Sequence, residues 1–203
     1  MAALARLVVL ISGHGSNLQA IIDACADGTL AAQVALVISN RSAAYGLERA
    51  RQAGVPAAVL AARKGQDRRE YDAALADLAA AARPDWIVLA GWMRLLTTTF
   101  LNRFPGRVIN LHPALPGAFP GVNAIERAYQ SYQRGEIQST GVMVHLVPDE
   151  GVDNGPVLAQ ETVPIRPEDT LETLAERIHQ VEHRLLVNTL QKVLAADPPG
   201  RAG

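Results

Sequence analysis

Leu7-Val8-Val9-Leu10-Ile11-Ser12-Gly13-His14-Gly15-Ser16-Asn17-Leu18 decides the fold. A short apolar, largely β-branched run stops at a glycine-rich turn, after which Leu18, Ile21, Ile22 and Cys25 recur at helical spacing. The reading is strand, tight turn, helix. The same rhythm continues outward: an apolar run at 34–38 ends at Ser39-Asn40, a helical segment at 45–53 closes on Gly54 with Pro56 beyond it, and a third strand fits 57–60. Residues 67–82 are alanine-rich and helical, with Tyr71, Leu75 and Leu78 as their apolar stripe. Pro84 then resets the chain into strands at 86–90 and 108–111.

Strands alternating with helices predict an α/β fold, a Rossmann-like, mostly parallel sheet with right-handed crossovers and helices on both faces. After residue 140 the rhythm changes. Runs at 142–147 and 157–163 flank the turn-rich stretch 148–156 and predict antiparallel strands in the C-terminal part. Residues 170–195 form a long amphipathic helix capped by Thr170 or Asp169, with Leu171, Leu174, Ile178, Val181, Leu185 and Leu186 on its buried face. We expect a single domain over 1–196, with a phosphate-binding half to about 104, a second half over 105–196, and a disordered tail at 197–203.

Nineteen basic against twenty acidic residues leave a formal charge of -1, so the chain lacks the basic surplus of a nucleic-acid binder. Any anion must be met locally. Cys25 is the only cysteine and reads as a buried structural thiol. The opening apolar run is too short to span a membrane. The expectations are a cytoplasmic protein, a monomer or homodimer, that acts on small molecules without nucleic acid, membrane or metal.

Gly13 and Gly15 turn the backbone tightly and expose amides at a helix N-terminus, where a phosphate is favoured, and Ser16 and Asn17 add side-chain donors. The alternative is an ordinary turn in which Ser16 caps the helix. A dinucleotide fingerprint would need glycine where Leu18 stands and an acid where Asn40 stands, which argues against a nicotinamide cofactor.

Asn110 and His112 lie at the carboxyl end of a parallel strand, and period two puts both on one face. An uncharged donor beside a group that titrates near neutrality suits acyl transfer. The third member comes from Asp149-Glu150-Gly151-Val152-Asp153-Asn154-Gly155-Pro156. We choose Asp153, against the alternative that it only makes a local turn. His145 alternates within an apolar strand and reads as packed. Trp86 reads as core, and Trp92 as either core or pocket wall.

These motifs, in this order, resemble the folate-dependent glycinamide ribonucleotide formyltransferases of purine biosynthesis. The similarity runs from about 7 to about 190, through the 10–21 turn, Ser39-Asn40-Arg41, residues 46–50, Leu89-Ala90-Gly91-Trp92-Met93-Arg94, Asn110-Leu111-His112-Pro113 and the 149–156 loop. The resemblance implies the formyltransferase fold and transfer of a formyl group from the co-substrate 10-formyltetrahydrofolate to the amine of glycinamide ribonucleotide. It implies Asn110, His112 and Asp153 as the catalytic set, with Asn110 and protonated His112 on the oxyanion, and Asp153 orienting His112 and relaying a proton. Gly15, Ser16 and Asn17 would meet the substrate phosphate and Glu182 the ribose. Met93, Arg94, Leu95 and Leu96 would wall the pterin, and Arg68, or its neighbour Arg69, would reach the folate, as would Asn110 and Asp153.

The sequence departs from that pattern at Ala114-Leu115-Pro116-Gly117 and at His179, where some members carry lysine. Methionyl-tRNA formyltransferase and formyltetrahydrofolate hydrolase share the chemistry. Each is expected to carry a further domain for which this chain, ending at 203 and with its first strand at residue 7, has no evident room. A non-catalytic nucleotide-binding module is the alternative from another class. It would not need the Asn110, His112 and Asp153 set.

Overall fold

A computed structural model describes residues 3–197. The order along the chain is β1 (Ala5–Ile11), α1 (Ser16–Ala26), β2 (Ala32–Ser39), α2 (Tyr45–Gln52), β3 (Ala57–Val59), α3 (Arg68–Ala81), β4 (Trp86–Leu89) and α4 (Thr98–Leu101). There follow β5 (Val108–His112), α5 (Ala124–Gln133), β6 (Ser139–Leu146), β7 (Val157–Pro164) and α6 (Leu171–Ala196). The strands form one seven-stranded sheet, β3-β2-β1-β4-β5-β6-β7. The pairs from β3 to β5 are parallel and the last two antiparallel, as the sequence predicts.

Strand periodicity divides the core. Leu7, Val9 and Ile11 of β1 face the cluster completed by Leu18 and Ile21 of α1 and by Leu174, Ile178 and Leu186 of α6. Val8 and Leu10 face the opposite cluster, with Tyr71 and Leu75 of α3 and Phe100 of α4. A strand covered on both faces has no polar side to show, which is why β1 and β4 read as continuous apolar runs. Each large aliphatic side chain buried in this way stabilises the fold by roughly 1.5–3 kcal/mol.

Thr170 caps α6 through a capping box with Thr173. Asp169 instead accepts from Arg177 and from the Arg166 amide. Cys25 is half-buried rather than sealed, and burial raises its thiol to about 11. Asp197, expected to begin a disordered tail, caps the end of α6 and pairs with Arg107, while residues 198–203 of that expectation lie outside the described residues. Two helices escaped the sequence reading. α4 is a single turn, and α5 fully buries only Ala124, Ala128 and Ser131, while Ile125, Tyr129 and Tyr132 pack against the core partly exposed.

β1 lies between β2 and β4, so the strand order reverses beside its carboxyl end, the place where open α/β sheets form a crevice. Ser12 joins the two walls of that crevice: its amide donates to the Gly91 carbonyl at 3.1 Å, and its hydroxyl accepts from the Met93 amide at 2.8 Å. Gly15, not Ser16, is the N-cap of α1, with φ 76°. A Cβ there would stand 2.6 Å from the Cα of Gly46, whereas at Gly13 it would meet nothing within 4 Å. Gly15→Ala is therefore expected to lower the unfolding free energy by at least about 1–2 kcal/mol from the left-handed backbone alone. Gly13→Ala should stay within about 0.5 kcal/mol of the parent. Parallel urea titrations check both.

Candidate active site

β5 carries Asn110 and His112 at its carboxyl end on the face of Val108, opposite Ile109 and Leu111, whose side chains enter the core. Its antiparallel neighbour β6 places His145 directly across from Asn110. The Asn110 amide nitrogen lies 3.1 Å from His145 Nε2, and His145 Nδ1 lies 2.8 Å from the carbonyl of Leu146. The β6–β7 register shifts between Val144 and His145, an irregularity of the kind that re-aims side chains beside active sites. His145 is thus buried, as the sequence suggests, but it also lines the cleft.

The three acids of the 148–156 loop separate by geometry. Asp149 makes a local turn, accepting from the Gly151 amide at 2.8 Å. Glu150 reaches α4, accepting from the amide and hydroxyl of Thr98 at 2.9 and 3.1 Å. All three line the cleft, but Asp153 is the one that meets Asn110 and His112, from a backbone with φ 51°, a left-handed conformation that aspartate adopts more readily than most residues. Its Oδ1 accepts from Asn110 Nδ2 at 2.9 Å and its Oδ2 from the Gly121 amide at 2.8 Å, with His112 Nδ1 3.2 Å from the same oxygen. The loop must bend back hard to do this. A Cβ on Gly155 would stand 1.9 Å from the Leu146 carbonyl oxygen.

Burial pushes the Asp153 carboxyl up, but His145, the Gly121 amide and His112 outweigh it and hold the group below its ordinary range. For His112 burial is the largest influence and pulls the ring below its ordinary value, against the pull of Asp153 and the Phe119 carbonyl. His112 Nε2 lies 3.1 Å from that carbonyl, which also accepts from Arg127 at 2.6 Å. Both ring nitrogens therefore face oxygen, partners that the charged ring alone can satisfy together, while burial favours the neutral ring. A charge held in a buried place makes a strong proton donor.

This set lines a cleft of about 580 Å³, a size ordinary for a small-molecule site. At one end Asn17, His179 and Glu182 line it. Glu182 is buried and accepts from His179 Nδ1 at 2.7 Å and from Asn17 Nδ2 at 3.5 Å. That bond raises the His179 pKa. Gly15 and Ser16 stand beside this end without lining the cleft, and α1 has no side-chain cap over its first amides.

At the other end the backbone of 93–96 forms a wall, with Met93 and Leu95 about half exposed and Leu96 buried. Trp92 is buried and also lines the cleft, so both of its expected roles apply. Arg94 lies over the Tyr71 ring at 4.4 Å. Arg68 donates to the Leu95 carbonyl at 3.4 Å but is not part of the cleft lining. The lining residues come from both sides of residue 104, so the two halves read from the sequence do not divide the site. Among the described residues no group of histidine, cysteine and acids could hold a metal ion, and no helix is long and apolar enough to cross a membrane.

The family described as formyl transferase matches residues 5–190. The chain belongs to the formyl transferase family. Phosphoribosylglycinamide formyltransferase of Schizosaccharomyces pombe is 48% identical over 94% of this chain and 97% of its own length. The Escherichia coli protein of the same name is 41% identical over 89% and 82%. The crystal structure of glycinamide ribonucleotide transformylase 1 from Symbiobacterium toebii superposes with a TM-score of 0.89 at 42% identity, covering 97% of this chain and 90% of that one.

Within this formyl transferase, sequence reasoning missed three participants: His145 as more than packing, the carbonyl of Phe119 and the amide of Gly121. Two of these are backbone groups, which carry no signature in residue type. If Asp153 supports the His112 charge as drawn, Asp153→Asn should lower the His112 pKa further, because burial then acts with less opposition. An NMR titration of the ring reads this directly, and an unchanged or higher pKa would contradict it.

Proposed function

We propose that this formyl transferase moves the formyl group of 10-formyltetrahydrofolate to the amine of glycinamide ribonucleotide in purine biosynthesis. One observation carries the reading: a buried carboxylate, Asp153, joins Asn110 and His112 in one cleft that is also lined by Asn17 at the start of α1 and by residues 93–96. Substrate phosphate would meet the first amides of α1 beside Gly15, Ser16 and Asn17, where the helix dipole favours an anion. Glu182 would accept from the ribose hydroxyls. The pterin would lie against Met93, Arg94, Leu95 and Leu96, with Arg68 above the Leu95 end of the wall.

The neutral amine attacks the formyl carbon, a C–N bond forms, and the carbonyl oxygen becomes an oxyanion. His112 Nε2 donates to that oxygen in place of the Phe119 carbonyl, a stabilisation worth about 3–4 kcal/mol for one such donor. Asp153 orients His112, supports its charge against burial, and takes up the proton released by the amine. The proton passes to N10 of the folate as the bond from the formyl carbon to N10 breaks. Asn110 joins the set by donating its amide nitrogen to Asp153 at 2.9 Å, with His145 Nε2 3.1 Å from the same nitrogen. A reaction of this form is complete in the chain's own side chains and its two substrates.

The first test mixes the purified protein with both substrates and follows release of tetrahydrofolate by absorbance; release that needs both substrates is expected, and none would end the reading. Asp153→Asn should lower kcat by about 10²–10⁴-fold, the range of general acid–base contributions. Its KM values should change little, because the loss falls in the transition state. Turnover near the parent's would remove Asp153 from the mechanism.

A further inference from the structure

The structure assigns Asp72 a part in the reaction: it is a positioning residue that holds the 93–97 segment in the shape that receives the folate ring. The inference rests on the formyl-transfer reading and deepens it. Residues 93–96 wall the cleft without belonging to a helix or strand, so the segment has no hydrogen-bond ladder of its own to fix it. It is held from outside. Ser12 Oγ accepts from the Met93 amide at 2.8 Å. The other holds come from one stripe of α3, where Arg68, Tyr71 and Asp72 stand at i, i+3 and i+4 and so share a face. Arg68 donates to the Leu95 carbonyl at 3.4 Å, the Tyr71 ring lies under Arg94 at 4.4 Å, and Asp72 Oδ2 accepts from the Thr97 amide at 2.5 Å.

Asp72 makes the shortest of these contacts, and it stands in an unusual place for an acid. It is 2% exposed and does not line the cleft. Among the described residues, the other two acids buried to this degree, Asp169 and Glu182, pair with Arg177 and His179, whereas Asp72 makes no ion pair. Holding a carboxylate out of water costs free energy unless donors compensate it. Burial pushes this carboxyl above its ordinary value, against the Thr97 amide and the charges of Arg68 and Arg94. No step of the reaction touches it. Its effect is to fix the Thr97 amide where the wall ends and α4 begins, beside the Thr98 amide that Glu150 holds. A hydrogen bond to a charged acceptor sets direction as well as distance. Without it the wall keeps Ser12 at one end and loosens at the other. The folate that leans on the wall then loses affinity, while glycinamide ribonucleotide, placed near Asn17 and Glu182, does not.

Two kinds of measurement test the inference. In ¹⁵N-labelled parent protein the Thr97 amide should exchange with solvent about a hundredfold or more slower than an open amide, whether or not the protein turns over; exchange at the open rate overturns the inference. In the assay, Asp72→Ala should raise the KM for 10-formyltetrahydrofolate about tenfold or more, with kcat and the KM for glycinamide ribonucleotide within about threefold of the parent. Asp72→Asn, whose side-chain oxygen can still accept from Thr97, should keep the folate KM within about threefold of the parent. A folded Ala variant with the parent's folate KM, or with equal losses toward both substrates, overturns the inference, and so does an Asn variant no better than the Ala variant. Should the Ala variant not fold, Asp72→Glu keeps the charge but shifts its oxygens by one methylene, and should raise the folate KM about threefold or more with the other KM unchanged. A Glu variant with the parent's folate KM overturns it. A parent protein that transfers no formyl group would instead defeat the functional reading, while leaving the Thr97 exchange as measured.

Discussion

A carboxylate taken out of water must find donors for its oxygens, and the site is arranged around that requirement for Asp153. Its side chain is only 11% exposed, and it reaches Asn110 on β5, His112 on β5 and the amide of Gly121 between β5 and α5. Remove the carboxylate and these groups lose their common partner. The loop that delivers it is fixed at both ends, by Glu150 on Thr98 and by the close passage of Gly155 under Leu146. The strain of a left-handed aspartate is thus held by contacts on either side of it.

In the free protein the polar groups of this cluster are already engaged. His112 Nε2 and Nδ1 lie 3.1 and 3.2 Å from the Phe119 carbonyl and Asp153, and Asn110 Nδ2 lies 2.9 Å from Asp153 and 3.1 Å from His145 Nε2. On the proposed reading, binding proceeds by exchange: an incoming carbonyl oxygen takes the place that the Phe119 carbonyl now holds against His112 Nε2. Such an exchange costs less than desolvating a bare donor, and it keeps His112 oriented before substrate arrives.

The fold was legible wherever pattern and burial agree. β1, β4 and the buried face of α6 announced themselves by continuous or periodic apolar residues, and the glycine turn announced the switch from strand to helix. Within that turn the sequence did not distinguish Gly13 from Gly15, because the difference lies in the approach of Gly46 from α2. α5 escaped the reading; its fully buried residues are small, and its larger ones, Ile125, Tyr129 and Tyr132, are only partly buried against the core. In the site, period two was enough to pair Asn110 with His112. The partnership of Asn110 with His145 depends on the antiparallel register of β5 and β6, which a composition of alternating apolar residues does not specify. His179, met in the sequence as a departure, turns onto Glu182 rather than standing alone.

The central claim is that this arrangement hands a formyl group from one bound molecule to another. Formyl-¹³C 10-formyltetrahydrofolate, incubated with the protein and glycinamide ribonucleotide and followed by ¹³C NMR, reads the fate of that carbon. The account predicts that the label appears in the formamide of the product, one equivalent for each tetrahydrofolate formed. Label released to water as formate, or retained on the folate, would contradict it.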